Sequence, residues 1–217
     1  MIIKICGIRT VALAEQTARL MPDMIGFVFA KSRRQVAPAE AGSMIAAIRS
    51  VAGSAIRTAG VFVNPTIEEL KRTLAEAPLD MIQLHGDESP DYCRAIRDAF
   101  DGIEVYKVFA IDSDQQPAQR RDQLDMYRGS IDGMLLDKPG GGTGMPFPWE
   151  AIPDYADWAD EAGIPTLIAG GLNPDNVGEL IAAYAPRGVD VSSGVETGGE
   201  KDIQLIRAFI ERVRSIA

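Results

Sequence analysis

The chain has little cysteine, almost no histidine and no long apolar run, and each scarcity removes a class of function. Its 217 residues include two cysteines, Cys6 and Cys93, and a single histidine, His85. Two cysteines without a spacing pattern supply neither a disulfide framework nor a four-ligand zinc site, and His85 has no partners at metal-ligand spacing. No metal is therefore expected, and free thiols fit a reducing, cytoplasmic setting. No segment approaches the ~20 apolar residues of a membrane span, and the apolar opening Met1 to Cys6 is too short for a signal-peptide core. Repeats, linkers and polar tracts are also missing. The 31 acidic residues against 22 basic ones give a formal net charge of −9. Phosphodiester backbones and anionic membranes are poor partners for such a surface, so neither nucleic acid nor membrane is expected. What remains is chemistry on a small molecule, and a local basic pocket could still bind one anion.

What the chain does have is alternation. Short apolar runs recur at Ile2 to Cys6, Met24 to Phe29, Thr58 to Val63, Met81 to Leu84, Glu104 to Phe109, Gly133 to Leu136, Thr166 to Ala169 and Val189 to Val191. Amphipathic segments separate them, several with helix-start signals. Thr66 with Glu69 forms a capping box, Ser89 precedes Pro90, Thr10 opens an Ala/Leu-rich run, and Asn173-Pro174 reads as a cap followed by a first-turn proline. Proline and charge interrupt the helical segments around Asp114 to Leu124 and after Trp149. Strands apolar on both faces belong in a covered parallel sheet. Eight βα units in so short a chain favour an α/β, single-domain (β/α)8 barrel spanning 1–217 over an open sheet.

In such a barrel, function gathers where strands end. The seventh strand stops at Gly170-Gly171 and the eighth at Ser192-Ser193-Gly194, small residues that let an oxyanion approach main-chain N–H groups. Loops after the last two strands suggest a phosphate cradle, helped by a short helix after Ser193. Taken one at a time, each is also an ordinary turn. Lys4 and Cys6 share the inward face of the first strand, and Asp190 faces inward from the adjoining eighth. A Lys4–Asp190 ion pair is expected, either structural or reactive. Cys6 is either a small core residue or a thiolate activated by the neighbouring ammonium.

Asp137 ends the sixth strand and is followed by a glycine loop through Gly144 that includes Gly142. A carboxyl at an apolar strand end under a closing loop should have a raised pKa and could act as a general acid; it could equally anchor the loop. Cys6 and Asp137, on non-adjacent strands, could flank a substrate. His85 reads as a pocket or packing residue. Lys31, Arg33 and Arg34 crowd one loop of an acidic chain, where an arginine fork could bind a carboxylate.

Eight motifs in order, covering nearly the whole chain, resemble the phosphoribosylanthranilate isomerases. They are Lys4-Ile-Cys-Gly7, Gly26-Phe-Val-Phe29, Gly60-Val-Phe-Val-Asn64, Gln83-Leu-His-Gly86, Leu135-Leu-Asp137, the glycine loop with Phe147 and Trp149, Gly170-Gly-Leu-Asn-Pro174, and Val189 through Glu196. The resemblance implies a (β/α)8 barrel catalysing an Amadori rearrangement without a cofactor, on a small phosphorylated substrate. It implies Cys6 as general base, Asp137 as general acid, Arg34 on the anthranilate carboxylate, and the two Gly/Ser loops on the phosphate. Phe29-Ala30-Lys31 is shorter than the family's usual segment, which leaves Arg33 as the other candidate; counting back from Pro38 aligns Arg34. Monomer and homodimer are both open. A histidine-pathway isomerase would carry aspartate where Cys6 stands, and a mere sugar-phosphate binder would need no acid and base facing one another.

Overall fold

The computed structural model describes residues 1–111, 115–138 and 149–216. Eight parallel strands close on themselves: β1 Ile2–Cys6, β2 Met24–Val28, β3 Arg57–Phe62, β4 Met81–Leu84, β5 Glu104–Ala110, β6 Gly133–Asp137, β7 Thr166–Ile168 and β8 Gly188–Val191. Each matches an apolar run of the sequence to within one residue at either end. Around them stand α1 Val11–Arg19, α2 Pro38–Ala52, α3 Ile67–Glu76, α4 Pro90–Ala99, α5 Pro117–Asp125, α6 Ile152–Ala162, α7 Val177–Tyr184 and α8 Ile203–Arg214. The fold is a (β/α)8 barrel.

Side-chain alternation splits the core in two. Outward residues such as Ile3, Ile5, Ile25 and Phe27 join Ile45, Ile48, Leu70 and Phe209 of the helices in one cluster. Inward residues Met24, Ala59, Met81, Tyr106, Leu135 and Leu167 form a second cluster inside the barrel. Tyr106 fits because its register partner on β6 is Gly133. A Cβ at 133 would lie 2.4 Å from the tyrosine ring, so only glycine leaves the space. Thus side chains fill the lower barrel, and a cavity opens at the strand C-termini.

Helix starts follow local chemistry. Thr10 accepts a hydrogen bond from the Leu13 N–H, Ser89 from that of Tyr92, and Thr66 and Glu69 cap each other reciprocally. The Asn173-Pro174 start does not hold. Asn173 Oδ1 accepts from the N–H groups of Asp175 and Asn176, Asn176 Oδ1 accepts from Asn173 N–H, and Asn176 Nδ2 donates to Gly171 O. This reciprocal pair stabilises a turn through residue 176, and α7 begins only at Val177. The short helix expected at Ser193 is present as a single 3-10 turn, Ser193–Val195. The chain then forms an unforeseen hairpin, β9 Glu196–Thr197 and β10 Glu200–Lys201. Its two-residue loop is Gly198-Gly199, at φ +61 and +88. α5 starts at Pro117, and Asp114 of the expected segment lies outside the described residues. α6 starts after a 3-10 turn at Trp149–Ala151, with Pro153 in its first turn, where proline costs no helical bond.

Candidate active site

The floor of the mouth is an ion pair. β1 and β8 place Lys4 opposite Asp190, and the fully buried Lys4 Nζ donates to Asp190 Oδ1 at 2.9 Å. Burial works against the ammonium, but the charge and hydrogen bond of Asp190 outweigh it and Lys4 is held above its ordinary pKa. Two residues further along β1, Cys6 lies within reach of the Lys4 charge. Its register partner is Gly26, where a Cβ would lie 2.9 Å from Cys6 Sγ and 3.3 Å from Lys4 Nζ. Glycine on β2 therefore makes the room that the thiol and the ammonium share. Of the two readings of Cys6, small core residue and thiolate activated by the ammonium, the resting thiol is the nearer: burial pushes it above its ordinary value, and Lys4 opposes this only in part. The physical reason is that Lys4 already faces a carboxylate, and Asp190 itself disfavours a second negative charge nearby.

Asp137 comes from the end of β6, three strands around the ring from β1 by way of β7 and β8. Its Oδ1 accepts the Lys138 N–H at 2.7 Å, yet its pKa is raised to about 6, chiefly by burial and further by Asp190. His85 Nε2 lies 3.6 Å from Asp137 Oδ2. Burial and the Lys107 ammonium lower the His85 pKa, so the imidazole is neutral at neutral pH. Cys6, His85, Asp137, Asp190, Arg34 and Ser192 all line one cavity of about 820 Å³. Such a wall holds a buried thiol and a carboxyl poised near neutrality on different strands, the requirement for moving protons at two points of one small molecule. Among the described residues, no group of three His, Cys, Asp or Glu side chains is placed to hold a metal ion.

Arg34 lines this cavity, whereas Arg33 does not and is 57 % exposed. Both reach Glu196, on the unforeseen hairpin. Glu196 Oε1 accepts from Arg34 Nε at 2.6 Å and Lys201 Nζ at 2.8 Å; Oε2 accepts from Arg34 Nη2 at 3.0 Å and Arg33 Nη2 at 2.7 Å. Burial alone would raise its pKa; the hydrogen bonds of Arg34 and Lys201 reverse that and hold Glu196 at about 2. Lys201 Nζ also donates to Ser192 O at 2.7 Å and Ser192 Oγ at 3.2 Å. Neither Glu196 nor Lys201 stood out as a functional residue in sequence. The signal that could have found them is Gly198-Gly199, a two-residue hairpin loop that folds β10 back on β9.

The two Gly/Ser loops meet. Gly170 and Gly171 have φ of +77 and +74, and a Cβ on Gly194 would lie 1.8 Å from Leu172 O, so the loops touch backbone to backbone. The N–H groups of Gly170, Gly171, Ser193 and Gly194 donate to no acceptor among the described residues. Ser192 lines the cavity; those four residues do not. Gly142, the rest of the glycine loop from 139 and Phe147 lie outside the described residues.

Comparison with known proteins gives a consistent answer. The family model for N-(5'-phosphoribosyl)anthranilate (PRA) isomerase matches residues 3–212. The N-(5'-phosphoribosyl)anthranilate isomerase of Brevibacillus brevis is 42% identical over 217 residues, covering 98% of this chain and 93% of the relative. That of Bacillus subtilis is 36% identical, covering 97% and 94%. Among solved structures, the phosphoribosyl anthranilate isomerase of Thermotoga maritima superposes with a TM-score of 0.82 at 32% identity, covering 99% of this chain and 100% of that one. A phosphoribosyl anthranilate isomerase solved with reduced 1-(o-carboxyphenylamino)-1-deoxyribulose 5-phosphate superposes with a TM-score of 0.79 at 32% identity, covering 99% and 100%.

Proposed function

The chain belongs to the N-(5'-phosphoribosyl)anthranilate isomerase family, and from that premise we propose how its barrel mouth carries out the reaction. Its activity is the aldose–ketose isomerisation of N-(5'-phosphoribosyl)anthranilate in tryptophan biosynthesis. On our reading Asp137 delivers a proton to the furanose ring oxygen. The C1′–O bond breaks as the anilino nitrogen lone pair forms a C1′=N bond, leaving a protonated Schiff base. The Cys6 thiolate then takes the C2′ proton, and the released electron pair forms C1′=C2′ while neutralising the nitrogen. Protonation of C1′, with loss of the O2′ proton as C2′=O forms, turns this enolamine into the carboxyphenylamino-deoxyribulose phosphate. The observation that carries the reading is that a carboxyl titrating at about 6 and a buried thiol wall the same cavity from β6 and β1.

The ionisation states are inverted relative to the usual pairing, because the base has a higher pKa than the acid. The reactive form, protonated Asp137 with ionised Cys6, is a small fraction of the enzyme. That fraction is level between the two pKa values and falls outside them. The Lys4 ammonium supports the thiolate when it forms, and Asp190 keeps Lys4 charged. Arg34 binds the anthranilate carboxylate, and the N–H groups of the 170–171 and 192–194 loops bind the phosphate. The reading is of one domain over 1–217, a cytoplasmic enzyme without a cofactor. It acts as a monomer or homodimer; a Thermotoga maritima relative is described as dimeric. The test is turnover of freshly formed N-(5'-phosphoribosyl)anthranilate by wild type, Cys6→Ala and Asp137→Asn. Undiminished turnover in both variants would overturn the assignment.

A further inference from the structure

An arginine offers two hydrogen-bonding edges, one made by Nε with an Nη2 hydrogen and one by Nη1 with the other Nη2 hydrogen. In Arg34 the first edge is taken, because Nε and Nη2 both donate to Glu196. No described residue accepts from Nη1. Glu196 is itself fixed, with Lys201 and Arg33 filling its remaining acceptor positions. The Arg34 stem is confined as well: a Cβ on Gly7, whose φ is +85, would lie 2.8 Å from Arg34 Cδ, so the side chain lies across the β1–α1 loop where any larger residue would lift it. Guanidinium, carboxylate and hairpin therefore form one rigid assembly at the cavity wall.

From this assembly we propose that Glu196 is a positioning residue, which occupies one edge of Arg34 so that the other edge alone meets the aryl carboxylate, and thereby sets the preference for a carboxylated substrate. The proposal rests on the reading of Arg34 given above. A carboxylate next to the clamp would, taken alone, repel the substrate's own. Three cations, Arg33, Arg34 and Lys201, surround this one anion, so positive charge remains in excess and a second carboxylate is still attracted. The arrangement exchanges some attraction for direction. Lys201, which also holds Ser192, ties this direction to the loop beside the expected phosphate site.

The test compares kcat/KM for N-(5'-phosphoribosyl)anthranilate with that for its des-carboxy analogue, N-(5'-phosphoribosyl)aniline, in wild type, Glu196→Gln, Arg34→Ala and the double variant. The ratio of the two substrates is read on a single preparation, so any loss of folded enzyme cancels. Glu196→Gln should lower the ratio by about 10- to 100-fold, mainly through KM for the carboxylated substrate, as loss of a charged, oriented contact does. The double variant should discriminate no worse than Arg34→Ala, because Glu196 acts through Arg34. An unchanged ratio in Glu196→Gln with a collapsed one in Arg34→Ala overturns the role of Glu196 alone. An unchanged ratio in Arg34→Ala overturns the reading of Arg34 on which it rests.

Discussion

Replacing Asp137 by asparagine should make the protein more stable at alkaline pH while removing its activity. The side chain is buried, and its pKa stands at about 6 against an ordinary 3.8. At 1.36 kcal/mol for each pH unit, keeping this carboxylate ionised in the fold costs about 2–3 kcal/mol. The sign follows from the direction of the shift. A raised folded pKa means the folded state favours the proton, so the associated stability is present in full below 3.8 and is lost as pH rises through 6. Asparagine keeps an oxygen for the Lys138 N–H but never ionises. Asp137→Asn should therefore gain about 2–3 kcal/mol over wild type at pH 8, or ~5–10 °C in Tm for a chain of this size. The gain should vanish by pH 4. Urea unfolding of both proteins across this range, alongside kcat, is the assay. An equal stability difference at pH 8 and pH 4, or a variant less stable at pH 8, would refute the buried-carboxylate account of the acid.

Other perturbations probe the remaining parts. Cys6→Ala should lower kcat by about 10²- to 10⁴-fold with KM little changed, and a KM effect instead would mark Cys6 as a binding residue. Lys4→Met leaves Asp190 buried and unpaired, and should cost about 3–5 kcal/mol in denaturant unfolding; adding Asp190→Asn should restore most of the stability but not kcat, and restored kcat would show the pair to be structural only. The wild-type kcat/KM profile should bend downward on the acid side near 6, where Asp137 titrates, and on the alkaline side above the ordinary thiol pKa; a fall centred near 8 would contradict the raised Cys6. Gly194→Ala forces its Cβ against the Leu172 carbonyl, so the two loops must part; KM for the phosphorylated substrate should rise along with a loss of stability, and an unchanged KM would separate these loops from the phosphate.

The barrel was legible because its determinants are local. Ile3, Ile5, Ile25 and Phe27 alternate with Lys4, Cys6 and Gly26, and a period of two is enough to assign faces once a ring closes. The same alternation brings Lys4 to Asp190 across 186 residues. What could not be read is what depends on balance or on loop geometry. The Cys6 ionisation turns on burial against the ammonium groups of Lys4 and, less, Lys201, and a sequence shows Lys4 but not its prior engagement with Asp190. Asn173 looked like a helix cap because capping and turn formation use the same side-chain oxygen; the choice was decided by Asn176, three residues on. Glu196 was visible within a motif, but its grip on Arg34 depends on a hairpin two residues long on each side, too short for any periodicity to reveal.

The central claim is that protons, rather than a hydride, move between Cys6, Asp137 and the sugar. Its most direct test is a single turnover of N-(5'-phosphoribosyl)anthranilate by the wild-type enzyme in D2O, with the ketose product analysed for deuterium at C1′. Proton abstraction from C2′ followed by protonation of the enolamine predicts solvent deuterium at C1′. Complete transfer of the substrate's C2′ hydrogen to C1′, with no solvent deuterium there in product formed at the normal rate, would contradict the account.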